Sequence, residues 1–333
     1  MPLHILRPGL LTTVQDLGRT GYQQDGVVVS GAMDATALRV ANLLVGNEEH
    51  AAGLEITVLG PRLRFGADHL IALTGADCSA TLNGEPVGHN RAIWIAAGAE
   101  LALGAAKTGC RAYLAVAGGV AVPRVLGSRG TYLRAAFGGL AGRALQAGDE
   151  LPVGAPSASG TRLAHRLARP SAGWAPAGFT PGPGLCPVPR PVPVVRALRG
   201  PEYAWFTAES QRAFWQAPFA ISPEADRMGY RLQGPPLARH DGAELLSSAV
   251  ALGTVQVPAG GQPIVLMADH QTTGGYPRLA QVISADLGVL AQARPGQALR
   301  FQEVSLAEAQ ALYLAQERRL RALARGLAIR LTS

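Results

Sequence analysis

Residues 264 to 283, "IVLMADHQTTGGYPRLAQVI", crowd Asp269, His270, Gln271, Thr272 and Thr273 against the Gly274-Gly275 pair, between an apolar segment ending at Met267 and another starting at Leu279. So many hydrogen-bonding side chains at one strand end make a candidate ligand site. Its upstream neighbour "GTVQVPAGGQP", residues 253 to 263, adds Gln256. A second cluster, "SPEADRMGYRLQG", holds Arg227 and Arg231 around Met228, Gly229 and Tyr230. Two guanidiniums on a constrained turn can grip a carboxylate or phosphate bidentately. The third, "TTVQDLGRTGYQQDGVVVSGAMD", carries Gln15, Asp16, Arg19, Tyr22, Ser30 and Asp34 in a glycine-punctuated stretch ahead of a helix. Each cluster also has a purely structural reading. An Asp followed by polar residues and glycines commonly bonds its own turn, Asp16 and Arg19 can be a local ion pair, and the two arginines can be surface salt-bridge residues.

Several catalytic patterns are missing. The chain has no phosphate-binding G-x-x-x-x-G-K-[ST] loop, no G-x-S-x-G elbow, no H-E-x-x-H and no dinucleotide fingerprint. Cys78, Cys110 and Cys186 have no C-x-x-C spacing and no histidine at zinc-ligand intervals, so reduced thiols and no metal site are expected. The formal charge of +7 rests on arginines scattered singly, with Lys107 the one lysine, which argues against a nucleic-acid footprint. Arg7 and Pro8 interrupt any signal-peptide core, and no apolar run approaches a membrane span, so a cytoplasmic location and no membrane partner are expected.

The elements that must position these residues are mostly strands. The 41 glycines and 24 prolines cut the 333-residue chain into short apolar runs such as "LEITVLG", "HLIALTG" and "RAIWIAAG", which predicts a mainly β architecture. Asn83-Gly84 in "TLNGEPV" signals a hairpin. Helices are few. One starts at an Asp34 cap and buries Ala37, Leu38, Ala41, Leu44 and Val45. Another starts at the capping box Ser305 to Glu308, runs to about residue 325 and buries Leu306, Ala309, Tyr313, Leu320 and Leu323. A proline-rich stretch divides the chain into a β-rich N-terminal domain over 1–155, a Pro/Ala/Gly-rich linker over 156–192 and a second domain over 193–325.

Taken in order, "GLLTTVQDLGRTGYQQDGVVVSGAMD", "YLAVAGGVAVPRVLGSRGTYL", "DRMGYRL" and "GTVQVPAGGQPIVLMADHQTTGGYPRLAQVISADL" resemble the 5-oxoprolinase C-subunit family, also called the KipA or allophanate hydrolase subunit 2 family. The resemblance covers about residues 5 to 310. It implies a cyclophilin-like β-barrel in the second half and a hetero-oligomer with the two other 5-oxoprolinase subunits, B (KipI-like) and A. Such a complex, using ATP with Mg at the level of the complex, cleaves 5-oxo-L-proline to L-glutamate, and this chain alone is expected to be inactive. Related modules act as biotin-dependent carboxyltransferases on urea or another small amide, and a regulatory relative binds a kinase inhibitor. A biotin route needs a separate carrier, because Lys107 is not flanked by methionines.

All the family's enzymatic relatives handle small planar amides, which suggests roles for the opening stretch. Asp269 would accept from the amide N–H, while Gln271, Thr272 and the backbone at Gly274-Gly275 would donate to oxygen, with Tyr276 closing one wall and Thr273 a further substrate-binding candidate. Gln15, Asp16, Arg19, Asp34, Arg227, Tyr230, Arg231 and Gln256 are the further substrate-binding candidates. On this reading Asp269→Ala costs about 2 to 4 kcal/mol in catalysis and little thermal stability.

Overall fold

The short apolar runs pair into sheets, as their turn-bounded pattern predicts. A computed structural model describes residues 2–240 and 245–332. The chain divides into two compact units: unit 1 is Met1–Arg19, Asp34–Val188 and Gln316–Ser333, and unit 2 is Thr20–Met33 and Pro189–Ala315.

Unit 1 holds two six-stranded sheets. The first runs Glu150–Leu151, Leu3–Arg7, Arg62–Phe65, Glu100–Ala102, Thr81–Leu82 and Glu85–Pro86, all antiparallel. Its last hairpin turns at Asn83 and Gly84, with φ of 50° and 90°, the left-handed pair that a tight two-residue turn requires. The second sheet runs Trp174–Pro176, Ala92–Ile95, His69–Asp77, Thr108–Val116, Gly53–Thr57 and Leu11–Gln15. Leu54, Ile56, Ile71, Leu73, Ile93 and Leu114 from this sheet join Leu3, Ile5, Leu63 and Phe65 from the first in one core. Its opposite face is covered by helix α1 (Ala35–Leu44), whose Val40, Ala41 and Leu44 pack with Leu70, Ala72, Trp94 and Ala115. Burial on both faces explains why "GCRAYLAV" is apolar almost throughout instead of alternating.

The segment 156–192 is more than a connector. Ser157 Oγ accepts from Gly160 N at 3.0 Å and starts α2 (Ala158–Leu167), and Leu163, Ala177 and Leu185 join the cluster around α1. The proline of Trp174–Pro176 is tolerated because that strand lies at the sheet edge.

Unit 2 is built on a closed seven-stranded barrel, the barrel expected in the second half of the chain. Around it run Val194–Arg199, Arg278–Val282, Thr254–Gln256, Ile264–Leu266, Gly229–Gln233, Pro218–Ile221 and Ala298–Glu303, and a parallel pair between the first and last closes it. Strand alternation points Val195, Ala197, Phe219, Ile221, Tyr230, Leu232, Val265 and Phe301 into the core. Helices α3 (Ala208–Gln216) and α4 (Leu287–Ala291) add Phe214, Leu290 and Ala291.

Helix α5 spans Leu306–Thr332, beyond the expected end near 325, because its Ala, Leu and Arg residues are strong helix formers and no proline stops them. The capping box forms: Glu308 Oε2 accepts from Ser305 N at 2.7 Å, and Ser305 Oγ accepts from Glu308 N at 3.3 Å. The expected buried stripe is half right. Ala309 and Leu320 are buried and Leu323 is half-buried, but Leu306 and Tyr313 are 61% and 44% exposed, while Leu327, beyond the expected end, is buried as well. Positions seven apart share a helix face whether or not a neighbour covers it, so periodicity named the face and not the extent of its cover. No described helix is long and apolar enough to cross a membrane.

Candidate functional site

Sheet register assembles the site in unit 2. Gly229–Gln233 and Ile264–Leu266 are antiparallel neighbours with Gly229 opposite Leu266. The residue pairs beyond that end therefore meet: Met267 N donates to Met228 O at 2.9 Å and Asp269 N to Arg227 O at 2.7 Å. Their side chains meet as well. Arg227 Nε donates to Asp269 Oδ2 at 2.9 Å and Nη2 to Oδ1 at 2.8 Å, a bidentate pair in which both residues are buried. Ser30 Oγ donates to Asp269 Oδ1 at 2.6 Å, and Arg227 Nη2 also donates to Gly31 O at 2.6 Å.

Asp269, expected to accept from an amide N–H, is also the centre of a structural network in this geometry. Three hydrogen bonds already hold it. A carboxylate offers about four lone-pair sites, so one position on Oδ2 remains for a further donor.

The rest of the opening stretch splits by role. Gln256 is buried and its Nε2 donates to Tyr276 O at 3.2 Å. A Cβ on Gly274 would come within 2.6 Å of that same Nε2, which is why glycine stands there. Residues 273–274 pair with Ser248–Ala249 in a short ribbon that fixes the turn. The side chains of Gln271, Thr272 and Thr273 make no hydrogen bond within the described structure, and Tyr276 is 50% exposed. The turn therefore joins a closed ion pair to a row of uncommitted polar groups.

His270 has a more specific place than its membership of a polar run suggests. Its Nδ1 lies 2.6 Å from Gln271 O, and burial holds the imidazole below its ordinary value of 6.5 despite that contact and the neighbouring Asp269 carboxylate. The unfolded chain then binds a proton that the native state resists, so this contribution to stability is full above about pH 6.5 and is lost as pH falls below it. Unfolding free energy measured in urea at about pH 7.5 and about pH 5.5 should drop less for His270→Gln than for wild type. An equal drop would show that His270 does not contribute.

The other candidates do not all converge. Arg231 lies on the outward face of its strand, between buried Tyr230 and Leu232, and Glu224 approaches it at 3.7 Å. Arg227 lies in the bend before that strand and is buried, whereas Arg231 is exposed, and the two arginines do not form a joint grip. Tyr230 is part of the barrel core. Gln15, Asp16, Arg19 and Asp34 belong to unit 1. Asp16 and Arg19 do not pair as neighbours: Asp16 accepts from Ser128 Oγ and from Arg129 N, both at 2.6 Å, while Arg19 donates to Gly130 O and lies over the Phe137 ring at 4.7 Å. Gln15 Nε2 donates to Thr131 O at 3.0 Å. Asp34 caps α1, its side chain accepting from Ala37 N at 3.0 Å.

Two ion pairs near the barrel ends leave no mark in the sequence. Arg278 is held bidentately by Glu202, at 2.7 and 2.9 Å, and Arg196 by Asp286, at 2.5 and 2.9 Å. Arg278 stands just after the opening motif, and its partner is 76 residues away, so only the fold reveals the pair. Ser30 is similar: it sits among other polar residues in the chain, and its partner Asp269 lies 239 residues away.

Comparison with known proteins agrees with this architecture. A family described as "Carboxyltransferase domain, subdomain A and B" matches residues 25–303. The Escherichia coli (strain K12) protein named as the C subunit of 5-oxoprolinase is 46% identical over 307 residues, covering 92% of this chain and 93% of that protein. Urea amidolyase of Lachancea kluyveri is 33% identical over 352 residues, covering 99% of this chain and 18% of that protein. The crystal structure of the K. lactis urea amidolyase superposes with a TM-score of 0.86 at 31% identity, covering 97% of this chain and 20% of that chain. A mainly β chain with a closed barrel that matches these proteins along nearly its whole length belongs to the 5-oxoprolinase C-subunit family of carboxyltransferase-domain proteins.

Proposed function

We propose that the chain is the C subunit of a cytoplasmic, ATP-dependent 5-oxoprolinase that cleaves 5-oxo-L-proline to L-glutamate together with its A and B partners. The observation that carries this is the near end-to-end match to the Escherichia coli C subunit, 93% of whose length is covered. The turn after Ile264–Leu266 suits the chemistry. Opening a cyclic amide places charge on its oxygen, and Gln271 and Thr272 supply uncommitted donors beside a backbone opened by Gly274 and Gly275. Asp269, locked by Arg227 and Ser30, holds the turn and presents one remaining acceptor position to the amide N–H.

ATP and its Mg act at the level of the complex, and the starts of four of this chain's helices carry caps of their own. The Asp34 and Glu308 carboxylates occupy the first turns of α1 and α5, and the Ser157 and Thr207 side chains close those of α2 and α3. The test is reconstitution. The purified chain should hydrolyse no ATP in response to 5-oxoproline, should co-elute with the KipI-like partner in size-exclusion chromatography, and should restore turnover when added to both partners. Failure to restore turnover would overturn the proposal.

A second reading follows from the TM-score of 0.86 to urea amidolyase: carboxyl transfer to urea or another small amide. Biotin would have to be carried outside these 333 residues, since Lys107 lacks flanking methionines. Transfer of labelled bicarbonate to a small amide, dependent on a biotinylated carrier, would favour it.

A further inference from the structure

Unit 1 contains a cavity of about 580 Å³ between residues 179–185 and the last turns of α5. Its walls are mostly apolar, with Phe179, Leu185, Leu323 and Leu327 contributing. The size lies within the range of small-molecule sites, roughly 300 to 1,000 Å³. Two guanidiniums border it. Arg319 lies across Gly184, with its Nε, Nη1 and Cζ about 3.1 Å from where a Cβ on that glycine would stand, and it has no carboxylate partner within the described structure. Arg330 sits over the Phe179 ring, 5.4 Å from its centre.

The helix side of the cavity is kept open at a cost. Gly326 lies inside α5, where glycine is about 1 kcal/mol less favourable than alanine. It lines the cavity, and a Cβ there would meet no heavy atom within 4 Å. Neither close packing nor a left-handed backbone demands glycine at this position. On the facing wall Gly182 is equally unobstructed.

We propose that this cavity binds a small amphipathic anion, a medium-chain carboxylate whose apolar body lies on Phe179, Leu185, Leu323 and Leu327 and whose head pairs with Arg319 and Arg330. Apolar walls alone would accept any oily molecule of that size. The arginines select the charged one.

Calorimetric titration of the full chain with decanoate and with decanol tests this. Decanoate should bind saturably and at least about 5-fold more tightly than decanol, and Arg319→Gln should remove most of that preference. Gly326→Leu should weaken decanoate binding by more than about 30-fold by filling the space, while leaving the melting temperature unchanged or raised, since leucine is the better helix former. Gly182→Leu blocks the opposite wall without touching the helix, and should weaken binding whatever the folding yield of the first variant. Absence of saturable decanoate binding, equal affinity for decanol, or undiminished binding in both folded glycine variants would each overturn the proposal.

Discussion

Asp269→Ala is expected to lower the unfolding free energy by about 3 to 5 kcal/mol, because it leaves the buried Arg227 guanidinium without its carboxylate. From sequence the opposite ranking is expected, with catalysis damaged and stability nearly intact. Burial decides between them. A turn cap at the surface contributes about 1 kcal/mol, whereas a bidentate pair in a dry environment leaves an uncompensated charge when one partner goes. Urea unfolding of wild type, Asp269→Ala and the double variant Asp269→Ala, Arg227→Met measures it. The double variant should recover part of the loss, since it removes the stranded charge as well. A single-variant loss below about 1 kcal/mol would place the pair with surface salt bridges.

Gln271→Ala should leave the melting temperature within experimental error, because its side chain makes no hydrogen bond in the described structure. In the complex reconstituted with both partner proteins it should lower kcat/KM for 5-oxoproline by about 30- to 1000-fold, the scale of losing one donor to a developing oxyanion, about 2 to 4 kcal/mol. The loss should fall on kcat more than on KM, since the contact strengthens as charge accumulates. Normal turnover with an unchanged melting temperature would remove Gln271 from the active site.

The contrast between these two residues shows what one sequence can disclose. Features written in adjacent residues are legible: the Asn83-Gly84 hairpin, the Asp34 cap of α1 and the Ser305 to Glu308 capping box all form. The turn around Asp269 is legible as a polar cluster, but the division of labour within it is not. Arg227 and Ser30 reach Asp269 from 42 and 239 residues away, and neither separation leaves a periodic trace. Arg231 misleads for a local reason. The pair reads as two guanidiniums on one turn, yet the strand begins at Gly229, so Arg227 stays in the buried bend while Arg231, between inward Tyr230 and Leu232, faces out. The start of α2 is concealed in a proline-rich composition, although Ser157 and Leu163 carry an ordinary cap and anchor.

Unit 1 is assembled from three separated stretches, the last of them beginning at Gln316. During synthesis the cluster around α1 can close only after the ribosome has made Leu320, which is fully buried in the cluster with Leu44 and Leu163, and Glu317, which holds the Arg39 guanidinium bidentately at 2.6 and 2.9 Å. The nascent chain must therefore carry two antiparallel sheets with an unfinished helical layer until more than 120 further residues beyond Val188 have emerged. Contacts of such long sequence separation are formed late and slowly, and exposed apolar surface during that wait invites chaperone binding or aggregation. Splitting a gene for this chain at residue 188 would yield a first fragment lacking the helix that completes it, whereas supplying residues 316–333 in trans offers a route to its rescue.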